Sequence, residues 1–124
     1  PDYGLGRGYV SQIWAWLVAS RPEAGIRVFN KGVSGNTVRD LDLRWQADVL
    51  GLRPDVLCVM IGINDVWRQF DSPGRTEMHV GPEEYRETLN RLLAAARPGL
   101  KSLFLASPFF IEPNRADAMR RRMD

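Results

Sequence analysis

The stretch DVLCVMIGIND, residues 55–65, decides the fold. Apolar side chains run almost unbroken over residues 56–61, a length that suits one strand and is too short for a helix, and Pro54 and Gly62 bound the run. Runs of this kind are typical of strands that are covered on both faces. We therefore predict a buried strand of a parallel sheet at the centre of the chain.

Polar residues follow this strand at its C-terminal end. Gly62, Asn64 and Asp65 stand where an open α/β sheet presents groups to a ligand. In one interpretation they form only a turn, because Gly, Asn and Asp tolerate unusual backbone angles. In the other, the side-chain amide of Asn64 donates a hydrogen bond to developing negative charge. The motif alone leaves both interpretations open.

A second segment upstream has the same organisation. Residues 26–29 form a short β-type run, and the glycine-bearing stretch NKGVSGNT, residues 30–37, leads from it into a helical pattern. The N-terminus of a helix favours an anion, and Gly35 can bring its own N–H close because it has no side chain. We predict that two strands deliver loops with hydrogen-bond donors to the same edge of the sheet.

Helices and one further strand complete the predicted order. Apolar residues recur at helical spacing in three segments, whose faces are Val10/Ile13/Trp14/Leu17/Val18, Val38/Leu41/Trp45/Val49 and Tyr85/Leu89/Leu92/Leu93/Ala96. Thr37 and Asp40 have the spacing of a capping box before the second helix, and Pro82 opens the third. Residues 103–106 are the next strand. Residues 62–81 show no convincing period, which predicts a long loop.

This alternation predicts right-handed βαβ units and a single α/β domain, a three-layer α/β/α sandwich with a parallel sheet. The first helix has no strand before it, and a helical pattern that starts near Asn114 is cut off at the end of the chain. From the sequence we therefore expect a domain that is truncated at both ends.

Composition excludes several classes of function. A net charge of +2 without a basic stripe argues against nucleic acid, and no apolar run is long enough to span a membrane. Cys58 is the single cysteine, and its place in the middle of a strand predicts a buried, inert thiol. No metal-ligand spacing, Walker loop or dinucleotide fingerprint is present, so we expect no cofactor. Compartment and oligomeric state stay open.

The two loop motifs carry a family resemblance. Residues 30–37 and 62–65, with Arg53-Pro54-Asp55 before the second strand, resemble the second and third blocks of the SGNH hydrolases, also called GDSL esterases and lipases. The resemblance implies a flavodoxin-like sheet and hydrolysis of small-molecule esters through a serine nucleophile, with Asp and His supplied near the C-terminus. It also implies that Gly35 and Asn64 belong to the oxyanion hole, the group of donors that stabilises the charged intermediate.

The chain also departs from the family pattern. The block that carries the nucleophile has no counterpart before Pro1, and no Asp-x-x-His block follows Arg115. We therefore expect a central piece of a longer enzyme that is inactive on its own. The alternative is a noncatalytic module that binds an anion or a sugar in the same crevice.

Four residues are candidates for substrate binding: Asn36, Asp65, Trp67 and Phe109. Asp65, Trp67 and Phe109 each have a second interpretation. Asp65 would instead cap or brace its loop, Trp67 and Phe70 would anchor that loop to the core, and Phe109 with Phe110 would pack in the core.

Ser34 and His79 are weaker candidates. Ser34 lies close to a Gly-x-Ser-x-Gly nucleophile elbow, but Asn36 replaces the last glycine and the motif fails. His79 is the only histidine, and we predict a surface or loop-packing role for it.

Overall fold

The computed structural model describes residues 4–108 and residue 121, which belong to two compact units, one ending at Val33 and the other beginning at Ser34. The helices are α1 (Tyr9–Ser20), α2 (Val38–Asp48), α3 (Ile63–Asp71) and α4 (Pro82–Ala96), and the strands are β1 (Val56–Met60) and β2 (Ser102–Ala106). Single 3-10 turns lie at Pro22–Ala24, Leu50–Leu52, Thr76–Met78 and Arg97–Gly99. No helix in this part of the chain is long and apolar enough to cross a membrane.

The first unit contains α1, which confirms the predicted helix, but none of its residues is buried. The predicted strand at residues 26–29 is wrong, because this segment has no regular hydrogen-bond ladder. A strand needs a neighbouring strand to receive its backbone hydrogen bonds, and residues 4–33, the described part of this unit, contain no other strand. Within the unit, Asn30 instead ties the coil to the start of the chain by donating to the Leu5 carbonyl at 3.0 Å.

The second unit is built on a parallel sheet of β1 and β2, paired from Val56 with Ser102 to Met60 with Ala106. This pairing confirms the predicted parallel α/β class. The prediction that β1 is covered on both faces is wrong, since only Val59 is buried and Cys58 is exposed rather than an inert core thiol. Side chains alternate along a strand, and the apolar residues of α2 and α4 pack with Leu57 and Val59 on one face only.

The core of this unit forms between α2, α4 and β1. Its most enclosed side chains are those of Val38 and Leu92. The buried cluster is Val38, Leu41, Trp45, Val49, Val59, Val80, Leu89, Leu92 and Ala96. Both predicted helix faces of this unit are therefore confirmed, because the apolar stripe of each helix packs against the same face of the sheet.

The predicted loop at residues 62–81 is wrong, since α3 and a 3-10 turn occupy most of it. Asp65 is the only buried residue of α3, and the aromatic residues of this helix are exposed. Its apolar residues nevertheless recur at the helical spacing i, i+3, i+4 and i+7, a signal that the prediction missed: Ile63, Val66, Trp67 and Phe70. Gly62, with φ of +123°, turns the chain from β1 into this helix. That backbone angle favours glycine.

The capping box before α2 provides a prediction on pH. The Asp40 carboxylate accepts hydrogen bonds at 2.8 Å from both the N–H and the hydroxyl of Thr37. The Thr37 N–H is the main reason that the pKa of Asp40 is lowered. A carboxyl whose pKa is lowered by folding stabilises the fold above its unfolded pKa, about 3.9, and loses that contribution as the pH falls through its folded value.

Asp40→Asn is therefore expected to cost about 1 kcal/mol of unfolding free energy at pH 6, and less at pH 3. Urea denaturation at the two pH values measures the difference. Glu87→Gln, at an exposed position of α4, is the matched control. A cost of Asp40→Asn that did not shrink at pH 3 would contradict the prediction.

Candidate functional site

The turn at residues 34–37 leads directly into α2. Thr37 is the N-cap residue of that helix and has an extended backbone, with φ of −97° and ψ of 177°. Gly35 lies two residues earlier with φ of +83°, in the left-handed region that favours glycine. The sequence therefore places Gly35 as predicted, in a tight turn at the start of a helix.

Asn64 lies in the first turn of α3 and reaches this turn through its side chain. Its Nδ2 donates a hydrogen bond to the backbone carbonyl of Asn36 at 2.9 Å. A carbonyl only accepts, so the nitrogen rather than the oxygen of the amide faces Asn36. The amide has a second N–H, for which the described residues give no acceptor. The structure thus brings together the two segments that the sequence singled out.

Asp65 follows Asn64 and is turned toward the same helix start. Its side chain is almost fully buried, with a residue exposure of 3%, and Oδ1 accepts from the Val38 N–H at 2.9 Å. Oδ2 is buried and has no hydrogen-bond partner among the described residues. Burial is the main cause that raises the pKa of Asp65. This geometry favours the interpretation in which Asp65 braces the loop.

A pocket of about 380 Å³ opens at the Gly35 turn. It is lined by Ser34, Gly35, Asn36, Thr37, Arg39, Asp40, Arg68 and Met78. The Arg68 guanidinium closes over the turn, because a Cβ built on Gly35 would lie 3.6 Å from Arg68 Nη2. Asn64 is not among the lining residues and contacts the turn from beside the pocket. The pocket can therefore hold a small polar group next to glycine backbone and guanidinium charge.

Arg39 holds the wall of this pocket in place. Its Nη2 donates to Glu84 Oε2 at 2.8 Å and to the His79 carbonyl at 3.0 Å, and Nη1 donates to the Glu77 carbonyl at 2.7 Å. The hydrogen bond to Glu84 raises the pKa of Arg39, and in turn it lowers that of Glu84. Arg39 therefore joins α2, the 3-10 turn at Thr76–Met78 and α4.

The other predicted binding residues do not all line the pocket. Asn36 lines the pocket, and its Oδ1 accepts from Arg44 Nε at 2.9 Å. Trp67 is 47% exposed on α3 and lies outside the lining. Phe70 is 43% exposed, so the prediction that it anchors the loop to the core is wrong, because α3 turns it outward. Phe109 and Phe110 lie outside the described residues.

His79 and Ser34 do not form a catalytic pair. The His79 Nε2 lies 2.9 Å from the Ser72 carbonyl, which confirms the predicted loop-packing role. Ser34 lines the pocket, but the only histidine of the chain is engaged elsewhere. The described residues also contain no group of three His, Cys, Asp or Glu side chains that could hold a metal ion.

Sequence reasoning missed Arg68 and Arg39. Arg68 follows Asn64 by four residues, and residues at that spacing share one face of a helix. The signal was present, but it depends on recognising α3 as a helix. Arg39 gave no such signal, because its partners come from segments that are distant in the sequence.

A larger cavity, of about 470 Å³, lies between α3 and α4 and was not predicted. Asp65, Gln69 and Tyr85 contribute polar groups to its lining. The Tyr85 hydroxyl donates to the Ile61 carbonyl at 2.9 Å, and Gln69 donates to the carbonyls of Asp65 and Val80. Burial raises the pKa of Tyr85, and the Asp65 charge adds to the effect. These contacts tie α3 to its surroundings.

Comparison with known proteins agrees with the family resemblance of the two loop motifs. The model of the GDSL-like lipase/acylhydrolase family matches residues 2–124. An acetylxylan esterase of Geobacillus stearothermophilus is 53% identical over 120 residues, which are 97% of this chain and 55% of that protein. An uncharacterised lipoprotein of Bacillus subtilis, YqeF, is 29% identical over 105 residues, 84% of this chain and 42% of that protein.

Solved structures agree. The crystal structure of Axe2, an acetylxylan esterase from Geobacillus stearothermophilus, has a TM-score of 0.92 and 52% identity, over 99% of this chain and 57% of that chain. Catalytic mutants of that enzyme have a serine, a histidine or an aspartate replaced by alanine. LAE5, an alpha/beta hydrolase from a lake metagenome, has a TM-score of 0.88 and 53% identity, over 99% of this chain and 60% of that chain. The chain therefore spans little more than half the length of these relatives.

Proposed function

Since the chain belongs to the GDSL-like lipase/acylhydrolase family, we propose that the protein containing it is a carboxylic ester hydrolase that acts through a serine acyl-enzyme. In this proposal the chain supplies two oxyanion-hole donors, the Gly35 N–H and the Asn64 side-chain amide. The serine and its histidine and aspartate come from outside these 124 residues. The catalytic mutants of Axe2 support that division of roles.

The proposed reaction has two steps. The serine oxygen attacks the ester carbonyl while the histidine takes its proton, and the carbonyl oxygen becomes negative as the tetrahedral intermediate forms. Collapse of that intermediate expels the alcohol, which takes the proton from histidine, and water then releases the acid from the acyl-enzyme in the same manner. Donors aimed at the oxygen accelerate both steps because they bind it most strongly when it is charged.

One observation carries the assignment of the donors: the 2.9 Å hydrogen bond from Asn64 Nδ2 to the Asn36 carbonyl. This bond holds the amide against the turn that contains Gly35. It also engages one N–H of the amide and leaves the second N–H for a substrate oxygen. The positive guanidinium of Arg68, which lines the pocket at Gly35, also favours negative charge on the substrate oxygen.

For the substrate we propose an acetyl ester of a sugar. An acetylxylan esterase of Geobacillus stearothermophilus is 53% identical to this chain over the 120 aligned residues, and Axe2, described as an acetylxylan esterase from the same organism, is 52% identical over its aligned part. The pocket at Gly35 is small and is lined mainly by polar and charged residues, which suits a short acyl group on a hydroxylated alcohol. Lysophospholipids carry a long acyl chain on their ester and would need an apolar channel, which the described lining lacks.

Two measurements on the full-length protein test the proposal. A fluorophosphonate probe is expected to label it covalently on a serine, and acetylated xylo-oligosaccharides are expected to lose acetate at a higher kcat/KM than lysophosphatidylcholine loses its acyl chain. Absence of both labelling and ester hydrolysis would contradict the proposal and leave the noncatalytic binding module. Faster turnover of the lysophospholipid would contradict only the substrate class.

A further inference from the structure

Asp65 is a buried carboxyl group that does not line the pocket at Gly35 and that the proposed reaction does not use. Its Oδ1 accepts from the N–H of Val38, the first residue of α2. Val38 follows Gly35 by three residues, and Asp65 is the neighbour of Asn64. The bond therefore runs between the two segments that carry the proposed donors.

Two hydrogen bonds from adjacent residues of α3 reach the same turn. Asn64 bonds the Asn36 carbonyl, and Asp65 bonds the Val38 N–H, each at 2.9 Å. One bond uses a donor of α3 and the other an acceptor, so the two segments cannot slide or rotate past each other without losing one of them. A single bond would leave the Asn64 amide free to pivot about its contact.

The position of Asp65 also has an electrostatic reason. The first four N–H groups of a helix have no partner inside that helix, and its N-terminal end carries partial positive charge. Asp65 belongs to the first turn of α3 and bonds the first residue of α2. The carboxylate thus lies at the positive ends of two helices, which offsets part of the cost of its burial.

We propose that Asp65 is a positioning residue that fixes the Asn64 amide relative to the Gly35 turn, an inference that rests on the proposed function. It does not contact the substrate. Catalytic donors act only when they are aimed at the position of the charged oxygen, so a small misplacement of Asn64 reduces kcat without reducing substrate binding in proportion.

Two variants remove the same hydrogen bond from opposite sides. Asp65→Leu keeps a similar volume and removes the acceptor. Val38→Pro removes the donor at the first position of a helix, where proline is well tolerated, and the extended backbone of Thr37 suits a residue before proline. If Asp65→Leu does not fold, Val38→Pro still tests the proposal. Asp65→Asn keeps an oxygen acceptor for the Val38 N–H and is the conservative control.

The experiment measures p-nitrophenyl acetate hydrolysis by the full-length enzyme, with active sites counted by fluorophosphonate titration. Asp65→Leu and Val38→Pro are each expected to lower kcat per active site by about 10- to 100-fold with KM nearly unchanged, while Asp65→Asn retains most of the activity. In an Asn64→Ala background, the same substitutions are expected to cause little further loss, because Asp65 acts through Asn64.

The outcomes separate the two proposals. A wild-type enzyme that neither labels nor hydrolyses the ester would refute the proposed function. An active wild type in which Asp65→Leu and Val38→Pro keep their kcat, or lose it equally with and without Asn64, would refute the positioning role alone. Leu92→Ala, a core substitution, is the control for a purely structural loss and should leave kcat per titrated site unchanged.

Discussion

Replacement of Asn64 by alanine is expected to lower kcat on p-nitrophenyl acetate by about 10²–10³-fold in the full-length enzyme, which corresponds to roughly 3–4 kcal/mol of activation free energy. The substitution removes a hydrogen-bond donor that binds the carbonyl oxygen most strongly when that oxygen is charged. Since the donor contributes most in the transition state, KM should change much less than kcat. Steady-state kinetics on the purified variant measures both quantities.

Asn90→Ala is the matched control, because it makes the same change at an exposed position of α4. Its kcat should equal that of the wild type. Asn64→Ala also removes the hydrogen bond to the Asn36 carbonyl, so thermal unfolding must accompany the kinetics. A folded Asn64→Ala variant with wild-type kcat would remove this residue from the mechanism.

The largest effect on stability is expected at Gly62, where alanine should cost about 2–4 kcal/mol of unfolding free energy. Gly62 has φ of +123°, a backbone angle that side chains rarely adopt. A Cβ there would also meet Tyr85 Oη at 3.0 Å and Pro108 Cγ at 3.3 Å. Tyr85 cannot move away freely, because its hydroxyl bonds the Ile61 carbonyl. Strain and overlap therefore act together.

Urea denaturation of Gly62→Ala measures this cost, with Gly74→Ala as the control. No heavy atom lies within 4 Å of a Cβ built on Gly74, so its change should stay within about 0.5 kcal/mol. In a Tyr85→Phe background the cost of Gly62→Ala should fall, since the closest atom is gone. A Gly62→Ala variant as stable as the Gly74→Ala variant would contradict the account of the turn after β1.

Local physical chemistry determined much of this chain from sequence alone. The helices α1, α2 and α4 follow from the 3.6-residue spacing of their apolar residues, and β1 and β2 from short apolar runs. Thr37 and Asp40 form the predicted capping contacts because both partners lie in the same turn of helix. The same local patterns pointed to Gly35 and Asn64 as the residues on which a site would be built.

Tertiary structure decided what depends on partners distant in the sequence. It brought Asn64 to the carbonyl of Asn36 and Asp65 to the N–H of Val38, so that each pair forms a hydrogen bond. No spacing rule in the sequence connects the partners. It left Cys58 exposed, and it also left Ile63, Trp67 and Phe70 on the apolar side of α3 exposed. It also left residues 26–29 without a strand partner. Periodicity reports which face of an element is apolar, whereas hydrogen-bond partners and burial are fixed only when separate segments meet.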